Sequence, residues 1–170
     1  MFKKMKKILL AILLMAPMSM MAQKFAHFDL SQIVPNMKEY TTAQSELETL
    51  QKQYEADLKL MEEEINKKGE ELKKDGPKLV ENIRARREQE LNDLIQRYQQ
   101  SYQDSQQALQ KATQEKLSAI TEKVMAAVKK LGEAGGYIYV VDTSSGTIPF
   151  VNTTLSTDIT AQIKKEVGVQ

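Results

Sequence analysis

The chain has no cysteine, no tryptophan and a single histidine among its 170 residues, with only four prolines and seven glycines. Without cysteine there is no disulfide framework, no thiol nucleophile and no thiolate metal ligand, so stability must come from packing or association. His27 has no second histidine or cysteine to share a metal with. It reads as a surface or interface residue on a strand. There is no glycine-rich phosphate loop and no nucleophile–base set, which predicts a non-enzyme without cofactor or metal. Charge of one sign is also missing, with 24 basic against 23 acidic side chains. A nucleic-acid partner would call for a basic footprint, so none is expected.

The only sustained apolar run lies at the start. Lys3, Lys4, Lys6 and Lys7 precede Ile8–Leu14, a stretch too short to span a bilayer. Pro17, Ser19 and Ala22 follow, which suits a cleavage site. Residues 1–22 therefore read as a secretory signal peptide cut after Ala22, and the expected location is the periplasm. Without it the chain has 20 basic and 23 acidic side chains, and its methionines are Met37, Met61 and Met125.

Residues 24–30, KFAHFDL, alternate as a strand does, with Ala26, Phe28 and Leu30 on one face. Ser31 is placed to cap a short helical turn before Pro35. From Lys38 to Lys74 the apolar residues are Tyr40, Ala43, Leu47, Leu50, Tyr54, Leu58, Met61, Ile65 and Leu72. Their spacing is a coiled-coil seam with a four-residue stutter near Tyr54–Leu58. Asp75-Gly76-Pro77 breaks the helix and turns it back on itself. A second helix is predicted over 78–131, with a thin middle where Ser105, Ala108, Ala112 and Thr113 occupy the seam beside many glutamines. At 1.5 Å per residue the two helices would be ~55 and ~80 Å long, a rod rather than a globule.

After Gly132, Gly135 and Gly136, YIYVVDTSSGTIPFV (137–151) reads as a β-hairpin turning at Thr143–Gly146. TDITAQIKKEV (157–167) reads as a helix capped by Thr157 or Asp158. The predicted fold is α+β and mostly α: a long antiparallel coiled-coil hairpin rising from a small sheet body. The body would comprise 23–37 and 132–170, and the arm 38–131 with its turn at 75–77. Three strands and one short helix bury too little apolar surface to stand alone. The open faces and edges of the sheet therefore predict association with copies of the same chain. The body residues expected to carry it are Phe28, Leu30, Tyr139, Val140, Val141 and Ile148.

This organisation resembles the Skp/OmpH family of periplasmic chaperones. The signal segment, KFAHFDL, the charged helical hairpin, VVD at 140–142 and DIT at 158–160 carry the resemblance, which covers residues 24–168. It implies a homotrimer whose body is assembled from the strands of three chains. Helical arms would enclose a cavity for unfolded outer-membrane proteins, without ATP. The chain departs from the strongly basic members of the family in being net acidic once the signal is removed.

On the arms, Tyr98 and Tyr102 offer apolar area with a polar tip, and with Met61 and Leu91 they are the candidate client contacts. Lys73, Lys74 and Lys78 at the hairpin tip are candidates for peripheral contact with a membrane surface. Arg84, Arg86 and Arg87 stand among Glu81, Glu88 and Glu90, which reads as a helix laced by salt bridges. A structural coiled-coil spacer of the cell envelope is the rival reading.

Overall fold

The computed structural model describes residues 23–169; the expected signal segment lies outside them. The order is β1 (Lys24–Phe28), α1 (Leu30–Ile33), a 3₁₀ turn, α2 (Lys38–Asp75), a second 3₁₀ turn, α3 (Glu81–Gly135), β2 (Tyr137–Asp142), β3 (Ser156–Asp158) and α4 (Thr160–Glu166). The α+β, mostly helical fold is as expected, with two long helices joined by a tight turn at Gly76–Lys78 and a three-stranded sheet at their base.

The first two strands form where the sequence suggests, but the rest of the sheet does not. Its order is β2-β1-β3, and β1 runs parallel to both neighbours. Residues 137–151 form no hairpin, and 147–151 are not a strand. Asp142 ends β2 instead. Its carboxylate accepts the backbone N–H of Ser144 at 2.9 Å and the Ser144 hydroxyl at 2.7 Å. Pro149 has no N–H to give to a ladder, and the segment crosses to the far side of β1. A second turn follows, where Asn152 Oδ1 accepts the Thr154 N–H. The connection of some dozen residues is what a parallel crossover needs. The last helix starts at Thr160 rather than Thr157, because 156–158 are taken by β3.

The cap of α1 also differs from expectation. Asp29, not Ser31, is the capping residue. Its carboxylate accepts the Ser31 N–H at 3.0 Å, the Ser31 hydroxyl and the Gln32 amide. These side-chain bonds, that from Ser31 foremost, hold the Asp29 carboxyl below the usual carboxylate range.

One apolar core sits where the sheet meets the base of the hairpin. Ala26 and Phe28 from β1 meet Ile33, Met37, Ala43, the α3 residues Ile120, Val124 and Ala127, and Ile159, Ile163 and Val167 from the C-terminal end. Lys116–Glu46 and Lys123–Glu39 pair α3 with α2 at this level, and Lys130–Glu166 ties α3 to α4. Beyond Ala43 the α2 seam residues Leu47, Leu50, Tyr54, Leu58, Met61, Ile65 and Leu72 are half-buried. Across from them α3 offers the small Ser101, Ser105, Ala108 and Ala112. An open groove of about 300 Å³ lies between Tyr54, Leu58 and Met61 on one side and Ser101, Ser105 and Ala108 on the other.

Candidate functional site

Three features of the body and arm stand out. The first is a polar lock at the C-terminal ends of the strands. Asp142 Oδ1 accepts the Leu30 N–H at 3.2 Å, and the Phe28 carbonyl accepts both the N–H and the hydroxyl of Thr143. On the other side of β1, the Thr160 hydroxyl accepts the Asp29 N–H at 3.1 Å and the Ile159 N–H donates to the His27 carbonyl. Asp158 Oδ1 accepts the Thr160 N–H at 2.8 Å. Hydrogen bonding from Thr160 is the main cause that lowers the Asp158 carboxyl pKa. The VVD and DIT segments thus fasten β1 from both edges. His27 completes the set through a 2.9 Å bond between Nδ1 and the Ser156 hydroxyl.

The second feature is the sheet face turned away from the helices. Phe25 and Tyr139 stack there with ring centroids 6.3 Å apart and planes 9° from parallel. The β2–β3 connection crosses this face and leaves a hollow of about 360 Å³ lined by Phe25, Tyr139, Val141, Ile148, Phe150 and Leu155. Phe150 is 77 % exposed, Leu155 74 % and Tyr139 65 %. Three large apolar side chains thus lie bare on one small face.

The expected body residues divide between the two sides of the sheet. Tyr139, Val141 and Ile148 line the bare face. Phe28 is in the core, with Leu30 and Val140 packed on it. Tyr137 also packs on the core, although regular strand alternation would put it on the same face as Tyr139. An irregularity of register explains the difference: Lys24 lies opposite Tyr137, and Phe25 opposite Tyr139. Phe25, Phe150 and Leu155 are not among the residues expected from the sequence. Phe25 alternates away from Ala26 and Phe28, and that was the available signal.

The third feature is the arm. Of the four candidate contacts there, Tyr102 points outward at 49 % exposure, while Tyr98 and Leu91 are half-buried. Met61 lines the groove between α2 and α3. The structure does not gather the four into one site. At the tip, Lys73, Lys74 and Lys78 are exposed around Gly76-Pro77, beside Val80 at 70 % exposure. Arg84 pairs with Glu81 and Glu88, and Arg86 with Glu90, as the interleaved charges suggested. Among the described residues no helix is long and apolar enough to cross a membrane, and no cluster of side chains could hold a metal.

No curated protein matches the chain. Among solved structures it is similar in fold to a protein of Caulobacter crescentus CB15 described as an OmpH-like outer membrane chaperone. The TM-score is 0.72 at 14 % identity, covering 85 % of this chain and 83 % of that one. The family model for OmpH-like outer membrane proteins matches residues 24–167, from the first residue of β1 through both arm helices to the end of α4. By that match, which includes the strand ends and the polar residues that lock them, the chain belongs to the OmpH-like family.

Proposed function

We propose that the chain is an ATP-independent holdase chaperone of the periplasm, which binds unfolded outer-membrane proteins between helical arms and keeps them from aggregating. It works as a homo-oligomer, a trimer, with residues 23–37 and 132–170 forming the shared body and 38–131 the arm of each copy. The observation that carries this reading is the bare apolar face of the sheet at the foot of a long, thinly packed hairpin. A monomer would leave Phe25, Tyr139, Phe150 and Leu155 in water. Copies packed on this face would bury them and set several arms around one space. Family membership and the OmpH-like chaperone of similar fold point the same way. A holdase needs only to bind the unfolded state, and so needs no nucleotide site.

The test dilutes urea-denatured porin into buffer with and without the purified protein lacking residues 1–22. Light scattering should fall to baseline at a fixed molar ratio. Unchanged aggregation at saturating chaperone would overturn the proposal. The spacer reading predicts unchanged aggregation together with an intact oligomer, so native mass measured on the same sample separates the two.

A further inference from the structure

Helix α3 is not charged evenly around its circumference. Between Asp93 and Lys130 it carries ten charged residues. At 3.6 residues per turn all ten fall within an arc of roughly 140°. The rest of the circumference is free of charge for over thirty residues, in a chain where 28 % of residues are charged. At the base this neutral face dips into the core through Ile120, Val124 and Ala127. Farther out α2 does not cover it. Gln99, Tyr102, Gln103, Gln106, Gln110, Gln114, Leu117 and Ser118 are all exposed, and an open trough runs from Gln106 to Thr121 along α3 alone.

Two properties decide what this face can hold. The first is apolar density. Ile95, Tyr102, Leu109 and Leu117 give about one apolar side chain per heptad, whereas a permanent helix partner needs two. A second copy would therefore gain too little to stay. The second is hydrogen-bonding capacity. The side-chain amides of Gln106, Gln110 and Gln114 bond to no other described residue, and each offers donors and an acceptor. An unfolded polypeptide presents the complementary set, with unpaired backbone N–H and C=O groups and scattered apolar side chains.

Resting on the holdase reading, we infer that this neutral, glutamine-rich face of α3 is the wall that grips the unfolded client. It grips by amide hydrogen bonds and spaced apolar contacts rather than by charge. Client hold is then indifferent to the client's net charge and to salt.

The experiment compares three proteins lacking residues 1–22 in the porin assay, at low and high salt: the unchanged chain, a Gln106→Glu/Gln110→Glu/Gln114→Glu variant, and a control. The control carries the same charge change on exposed α2 positions, Gln44→Glu/Gln51→Glu/Gln53→Glu. Helicity and native mass are measured for each. The α3 variant should need about fivefold or more chaperone for half protection, since carboxylates remove donors and demand solvation. The control should match the unchanged chain, and salt should leave the unchanged chain's protection unaltered. Equal protection by the α3 variant and the control would overturn the inference and leave the holdase reading standing. So would protection by the unchanged chain that weakens with salt, or loss of oligomer mass in the α3 variant alone, which would make the face a contact between copies. Failure of the unchanged chain to protect at either salt concentration would overturn the holdase reading itself.

Discussion

Single residues fix the body more tightly than their exposure suggests. A Cβ on Gly135 would lie 2.3 Å from the Tyr137 ring, a rigid group already packed on the core. Gly135→Ala should therefore cost about 1–3 kcal/mol by overpacking. Thermal unfolding would show the loss, and Gly135→Ala/Tyr137→Ala should show less than the sum of the two single changes. Asp158 is exposed, yet its carboxylate holds the first N–H of α4. Asp158→Ala should cost about 1 kcal/mol, as loss of a cap does. The folded pKa values of Asp29 and Asp158 are both depressed. Their contribution is complete above the unfolded carboxylate pKa and is lost as pH falls through the folded values, from about pH 4 downward. Urea unfolding along a pH series should show that slope flattened in an Asp29→Asn/Asp158→Asn variant. The sequence shows Asp142 and Thr160 as parts of VVD and DIT but not what they do. Their partners, Leu30 N–H and Asp29 N–H, are 112 and 131 positions away.

At the scale of the element, the arm and the first two strands were legible, and the third strand was not. The α2 seam from Tyr40 to Leu72 follows from the spacing of its apolar residues alone, because each turn of a helix is read against its own neighbours. YIYVVDTSSGTIPFV looks the same locally whether its second half pairs with β2 or crosses over β1. Pro149 and the Asp142–Ser144 turn decide it, and β3 is three residues long with no alternation to show. Where the α3 seam is small, packing can be improved. Ala108→Leu should fill the groove beside Tyr54 and Met61 and stabilise the arm by about 0.5–2 kcal/mol. Amide hydrogen exchange should slow in the middle of both helices and stay unchanged in the sheet. If the groove is needed for movement of the arm, client protection should fall as exchange slows.

For the whole molecule, the bare sheet face and the core-facing side of the same sheet make different predictions. Val140 packs inward beside Gly132, so Val140→Asp should unfold the body. Tyr139→Asp and Phe150→Asp change side chains that already stand in water in one copy. They should leave helicity intact and shift native mass from the oligomer to the single chain. An unchanged mass in both would show that copies do not meet on this face. Which side of the sheet stays bare was not readable from the sequence, because the register slip at Lys24 reverses the company of Tyr137. The central place of β1 also sets the order of events in time. This strand is the first described element of the chain, and both its neighbours lie beyond residue 136. Its pairings can close only after the helical hairpin and nearly the entire C-terminal segment have been made, and contacts so distant in sequence form slowly. Refolding from urea should recover most of the helical signal in a fast phase and the shielding of the sheet in a later one. During synthesis, β1 would be among the first described segments made and the last to find its place.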